Sequence, residues 1–251
     1  IPDVMHISLK GKRAVYKSEL MMLEMLARSN WVRPLYVAIT VGSDNYGNLD
    51  KNFVQEGLAY RITPFNTVES GRRLDTRRMY DNLMNKFRFG GIDNPNIYLD
   101  ETVMRMCYTH RRLFAQLAQE LMREGDKDKA RKVLTKAEQA IPATTVPHCW
   151  ISGSLDMADI WATLEEDDKA EEIALATGTT SMQYLNWYLS LNNNRLMGSA
   201  RECMRNLMQL DDAVKILDRV HSGKTLDFQE KLGYNLQQLQ NRGMPLYPDE
   251  R

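Results

Sequence analysis

The stretch RRLFAQLAQELMREGDKDKARKVLTKAEQAIP, residues 111–142, decides how the larger part of this chain is read. Phe114, Leu117, Ala118 and Leu121 recur at steps of three and four, which places them on one face of an α-helix. Ala130, Leu134, Ala137 and Pro142 follow on a second helix. Ala118 and Ala130 are small enough to let two antiparallel helices approach closely, while the large residues fill the remaining groove. The pattern predicts one regular helix-pair unit over 111–144.

Poorer copies follow. One runs through Met157, Ala158, Trp161, Ala170 and Ala174, with the acidic connector EEDD at 165–168. Another uses Trp187, Tyr188, Leu191, Ala200, Met204 and Leu207. The step from Ala130 to Ala170 is 40 residues and that from Ala170 to Ala200 is 30, so only the first copy keeps a regular length. Stacked units of this kind bury a continuous core between neighbours. The helix LDFQEKLGYNLQQLQNRG is expected to close the stack and end near Gly243 and Pro245.

Upstream the period changes. DTRRMYDNLMNKF sets Met79, Leu83 and Phe87 four apart, a narrow helical stripe, before the loop RFGGIDNPN. VMHISL, residues 4–9, alternates Met5, Ile7 and Leu9 with Val4, His6 and Ser8, as a half-buried strand does. Ser18 is placed to cap a helix through SELMMLEMLARSN, with Leu20, Leu23 and Ala27 on its buried face, widened by Met22 and Leu26. PLYVAIT from Pro34 reads as a strand covered on both faces.

Strand, helix and strand together predict a βαβ unit with a right-handed crossover. The loop GSDNYGN at 42–48 would then sit at a strand's carboxyl end, where open α/β sheets hold ligands. LDKNFVQEG is expected as a short helix, and LAYRIT as a third strand alternating Leu58, Tyr60 and Ile62. The fold class is therefore α+β: a small βαβ-type segment over 1–74, then an α-helical repeat array over 75–251.

Composition narrows the function. Hydrophobic residues at 43% and charged residues at 26% exclude wholesale disorder. The 33 basic side chains balance 33 acidic ones, so the broad positive field of a nucleic-acid binder is missing, and no nucleic-acid partner is expected. The longest apolar run, Leu35 to Val41, is broken by Thr40 and far short of a membrane span. The opening IPDVMHISLKGKR lacks the order of a secretion signal and begins without Met, which reads as a piece of something longer.

Candidate chemistry is sparse. Cys107, Cys149 and Cys203 form no CxxC pair and read as buried small apolar residues. His148 and Cys149 are adjacent, and neighbours on a helix or strand point apart, so a connector is expected rather than a nucleophile and its base. His6, His110 and His221 have no H-x-x-x-H partner. No GxGxxG or GxxxxGK[ST] occurs, and no metal or cofactor is expected.

Asp44, Asn45, Asn48 and Asp50 gather oxygen ligands in one loop, a candidate sugar or metal site that departs from the EF-hand spacing. Turn and capping roles are the plainer reading of the same residues. Arg72, Arg73, Arg77, Arg78, Lys86 and Arg88 form a basic stretch that reads as a solvated helix face or intramolecular ion pairs, with contact to anionic lipid headgroups or phosphate-bearing ligands as the alternative. The methionines at 104, 122, 157, 204 and 208 fall at core spacing and read as gap fillers.

Three segments, NWVRPLYVAIT, LDKNFVQEGLAYRITP and MYDNLMNKFRFGGIDNPNIYLDE, resemble the soluble C-terminal region of a domain-of-unknown-function family of bacterial multi-pass membrane proteins. The membrane half of that family looks like the glycosyltransferases that use lipid-linked sugars, related to protein O-mannosyltransferases. The resemblance covers most of residues 1–145 through W-x-R-P-x-Y, E-G-L-A-Y-R and Y-D-N-L-M-N-K-F. The helical part resembles tetratricopeptide repeats, whose unit is 34 residues. The resemblance implies an extracytoplasmic, periplasmic domain following the last membrane helix, with sugar-transfer residues elsewhere.

The function expected from these readings is non-catalytic: an accessory domain that binds a protein, peptide or glycan partner through its repeats. Two alternatives stand beside it, an enzymatic sugar or metal site in the loop 42–50, and a brace for the membrane half or an oligomerisation domain.

Overall fold

The computed structural model describes residues 4–244; the expected stop at Pro245 lies outside them. Two compact units divide the chain, one ending at Phe87 and one beginning at Arg88.

In the first unit, helix α1 spans Lys17–Ser29 and strands β1, β2 and β3 span Tyr36–Ala38, Phe53–Gln55 and Ala59–Ile62. The sheet order is β1-β3-β2, and both pairings are antiparallel. The expected βαβ crossover is therefore absent, because β1 pairs with β3 rather than with a strand before α1. No strand forms over 4–9 either, and the alternation is kept only in part: Met5 and Ile7 pack on the core while His6 and Ser8 are exposed, but Leu9, in register with the first two, is exposed as well. A period of two reports which way side chains face; it does not supply a backbone partner.

The expected helix at LDKNFVQEG is instead a 3-10 turn at Asp50–Asn52 followed by β2. Phe53 and Val54 favour extended backbone, and Gly57 at φ +128° makes the reversal into β3. The core here is Leu26, Leu49, Phe53 and Ile62, with the rings of Tyr46, Phe53 and Tyr60 packed at centroid distances of 5.0–6.3 Å.

Helix α1 turns a different face inward from the one its sequence favours. Leu26 and Glu19 are buried with Met22 against them, whereas Leu20 and Ala27 are exposed. Ser18 lies inside the helix and does not cap it; Glu19 accepts the Tyr16 N–H at 2.9 Å and pairs with Lys12. Those two contacts hold the Glu19 carboxyl below its usual range. The stripe Met79, Leu83 and Phe87 is split between helix α2, Thr76–Asp81, and a π-helical turn, Asn82–Lys86; Met79 and Leu83 are buried.

The second unit is helical: α3 Glu101–Arg123, α4 Lys127–Ala140, α5 Ser154–Thr163, α6 Asp167–Ser190, α7 Asn193–Gly198, α8 Ala200–Arg219 and α9 Thr225–Asn241. Hairpins α3/α4, α5/α6 and α8/α9 pack in succession. Asp100 and Asp126 cap α3 and α4 by accepting the N–H of Val103 at 2.8 Å and of Lys129 at 3.1 Å. Phe114, Leu117, Ala118, Ala130, Leu134 and Ala137 are fully buried, as are Met157, Ala158, Trp161, Ala170 and Ala174. Trp161 Nε1 also donates to Glu138 across to α4, at 2.7 Å.

The third copy differs from expectation. Trp187 and Tyr188 belong to the long helix α6, and Trp187 is exposed. The third hairpin is built instead from Cys203, Leu207, Leu210 and Leu217 of α8 with Phe228 and Leu239 of α9. Met208, expected inside, is 59% exposed. Helix α9 ends just before Gly243, whose φ is +73°.

Gly178 of α6 lets three helices meet. A Cβ there would stand 2.7 Å from the Phe228 ring on α9 and 3.2 Å from Ala213 Cβ on α8. Gly178→Ala is expected to lose about 1–3 kcal/mol to overpacking, offset in part by helix propensity. Urea unfolding measures this, and adding Phe228→Leu should recover part of the loss.

Candidate functional site

Three of the sequence segments singled out above meet at one carboxylate. Glu56 sits in the β2–β3 connection and is 7% exposed. Tyr36, the last residue of W-x-R-P-x-Y, donates its hydroxyl to Glu56 Oε2 at 3.0 Å. Arg61, the last residue of E-G-L-A-Y-R, places Nε 2.6 Å from Oε1, with its N–H not directed along a hydrogen bond. Arg78 donates from one guanidinium nitrogen to both carboxylate oxygens at 3.2 and 3.3 Å. Asn82, inside Y-D-N-L-M-N-K-F, donates to the Glu56 carbonyl at 2.6 Å.

The field of Glu56 raises the Arg78 pKa; burial, and then its bond to Glu56, raise that of Tyr36. The arrangement is a closed ion network in which Tyr36 and Arg78 donate to the carboxylate and Arg61 adds its charge.

The basic stretch is thus partly consumed internally. Arg78 serves Glu56, and Lys86 pairs with Asp81 at 2.5 Å. Arg72, Arg73 and Arg77 are exposed, and Arg88, also exposed, opens the second unit. In the loop, Asp44, Asn45 and Asp50 are exposed and Asn48 donates to the Ser8 carbonyl at 2.6 Å. Asp44 and Asn45 form a 3-10 turn, and Asp50 begins another. Among the described residues no three His, Cys, Asp or Glu side chains are grouped to hold a metal.

The second unit has its own buried polar centre. Arg111 of α3 is 1% exposed and donates to the carbonyls of Ile141, Val146 and Pro147 at 2.8, 2.5 and 3.1 Å. Among the described residues no carboxylate pairs with it. Burial lowers its pKa to about 10, which leaves it charged at neutral pH.

Beside it, His148 Nδ1 lies 2.7 Å from Ser154 Oγ, and Ser154 Oγ lies 2.6 Å from Ser152 Oγ. Gly153, at φ +68°, brings this turn against α3: a Cβ there would stand 3.2 Å from Arg112 Cα. Burial, helped by the Arg111 charge, lowers the His148 pKa to about 3, so the ring is a neutral hydrogen-bonding group. The Cys149 thiol bonds instead with the Tyr108 hydroxyl, whose pKa is raised chiefly by burial.

A histidine bonded to a serine is the raw material of a nucleophile and its base. Here Ser152 and Ser154 are 0% and 1% exposed, so no substrate carbonyl can reach them. The group ties the 148–154 turn to itself. Cys107 and Cys203 are buried with raised pKa values, about 11 for Cys203, and are unreactive.

The sequence reading missed both centres. For Glu56 the signal was the Glu and Arg at the two ends of E-G-L-A-Y-R, spaced to face each other across a hairpin. For Arg111 no signal exists beyond its place next to a core face, where a charge is ordinarily read as solvated.

Two outcomes check these roles. Glu56→Gln should cost about 1.5–3 kcal/mol, the range for hydrogen bonds to a charged group; faster amide exchange in β3 would report it. For His148 the folded value of about 3 lies below the ordinary 6.5, so on acidification the unfolded chain takes up the proton first. Stability should be whole above pH 6.5 and fall by about 1.4 kcal/mol per pH unit toward pH 3. Urea unfolding across that window should show a shallower slope for His148→Gln.

A family model described as TMEM260-associated domain 2 matches residues 1–81. The match spans the sheet, Glu56 and its partners Tyr36, Arg61 and Arg78, and ends with helix α2. No curated protein and no solved structure gives a match. Over those 81 residues the chain is similar to a domain of TMEM260-related proteins.

Proposed function

We propose that this chain is a non-catalytic accessory domain of a TMEM260-like membrane protein, and that its helical hairpins dock a protein or peptide partner. One contrast carries the reading. The groups able to do chemistry are sealed in internal bonds, while large apolar side chains stand in solvent on the helices. Met106 of α3 is 55% exposed, Tyr184 and Trp187 of α6 are 48% and 54% exposed, and Met208 of α8 is 59% exposed. Aromatic and methionine side chains of this kind are enriched where proteins bind one another.

The hairpins, with Ala118 and Ala130 at the close approach of α3 and α4, support a tetratricopeptide-like reading of the array. Among the described residues no helix is long and apolar enough to cross a membrane. In this reading any transfer of lipid-linked sugar belongs to a membrane half outside this chain, and this domain stands on the extracytoplasmic face. Arg72, Arg73 and Arg77 are available there to anionic headgroups, at about 1 kcal/mol for each basic residue near the surface.

A second reading, a brace for the membrane half, is favoured by α1. Tyr16, Leu20, Met21 and Met25 leave an exposed apolar strip at helical spacing, each more than half exposed. The two readings use different surfaces and both can hold.

Photocrosslinking side chains at Met106, Tyr184 and Trp187 in the membrane-bound protein test the first reading. The expected result is one adduct of defined mass that Trp187→Ala abolishes. No adduct from any of the three positions would contradict it. The brace predicts crosslinks from Leu20 and Met25 within the same polypeptide.

A further inference from the structure

Aromatic side chains of the second unit follow one another along a line of contacts. The Arg205 guanidinium of α8 lies over the Trp150 ring, 4.9 Å from its centroid, in the connection between α4 and α5. Cys149, next to Trp150, bonds with the Tyr108 hydroxyl of α3, and Tyr184 of α6 stands close enough to Tyr108 for its charge to act there. Further along α6, Trp187 meets Tyr188 edge to face at 4.9 Å. Tyr184 and Trp187 stand about half in solvent, and Tyr108 and Trp150 are half-buried.

The charges beside these rings are unmatched. Elsewhere in the unit arginines are paired: Arg105 with Glu101, Arg123 with Glu120, Arg131 with Glu166 and Arg219 with Asp159. Among the described residues no carboxylate pairs with Arg201 or Arg205. The two stand four apart on one exposed face of α8, which continues to the exposed Met208. Glu202 between them is exposed too; burial, and then its charge, raise the Tyr188 pKa, so it lies toward α6.

This combination selects among partners. A guanidinium stacked on an indole still offers its N–H groups to a carboxylate. A lipid leaflet presents headgroup charge of one sign over a plane, and Glu202 among the arginines opposes it. An extended peptide can instead set a carboxylate on the arginines, an amide N–H on Glu202 and an apolar side chain against the rings. Tyr, Trp and Arg are also the residues on which binding energy concentrates in protein interfaces.

We propose that this face of α6 and α8, joined at Trp150, binds an acidic peptide segment. A carboxylate of the partner meets Arg205 and Arg201, and a neighbouring apolar side chain lies against Tyr184 and Trp187. The inference rests on the docking role proposed above and names the chemistry of the partner.

The 251-residue chain is tested against an array of short acetylated peptides with paired glutamates among apolar residues, and against matched sets with glutamine or lysine in their place. The glutamate set should be retained, and its best member should shift the Trp150 and Trp187 indole N–H signals in NMR. Arg205→Glu should weaken that peptide about tenfold or more at an unchanged melting temperature, and turn the preference to the lysine set. Arg201→Ala should weaken it as well, which keeps the test open should Arg205→Glu not fold. Equal retention of the three sets, preference for the lysine set, silence from all of them, or binding to phosphatidylserine vesicles in place of peptide would each overturn the inference. Photocrosslinks from Tyr184 and Trp187 report separately on whether any partner docks there.

Discussion

A single buried carboxylate organises the first unit. Glu56 is reached by a tyrosine from β1, an arginine from β3 and an arginine from α2, while its own carbonyl takes the Asn82 amide. Three segments, around residues 36, 56–61 and 78–82, are thereby held to one point. Such a charge is tolerable out of water only when its lone pairs are met, and here they are. This also explains what W-x-R-P-x-Y, E-G-L-A-Y-R and Y-D-N-L-M-N-K-F have in common: each contributes one arm of the same network. The match to the TMEM260-associated domain covers the Tyr36, Arg61 and Arg78 contacts and ends one residue before Asn82.

The second unit repeats the principle with the opposite sign. Arg111 leaves the α3 face and holds the 141–147 connection by three carbonyls. An isolated guanidinium in the core is costly, and carbonyl dipoles in a fixed fork are the means of offsetting it. The neutral His148 and the two serines complete the lining of that turn. Both centres spend their polar groups on architecture, and this leaves the exposed aromatic and methionine side chains as the surfaces free to meet something else.

The helical half was legible because size and spacing act locally. Ala118, Ala130, Ala170 and Ala174 had to be small for helices to nest, and the structure buries all four completely. The third copy was misplaced because Trp187 and Tyr188 mimic the start of a hairpin while continuing α6. The sheet was less legible. The alternation at 4–9 gave the facing of Met5 and Ile7 correctly, yet strand pairing depends on which distant backbone is available. At the candidate sites, the loop residues Asp44 and Asp50 were visible by type alone, whereas Glu56 and Arg111 acquire most of their meaning from partners 20 or more residues away.

The account rests on those polar centres being structural and closed. Native protein treated with a fluorophosphonate and with diethyl pyrocarbonate, followed by peptide mapping, tests this most directly. It predicts no label on Ser152, Ser154 or His148 until denaturant opens the second unit, with exposed His6 labelled from the start. Rapid labelling of Ser154 or Ser152 in the folded chain would show a reachable nucleophile and contradict it.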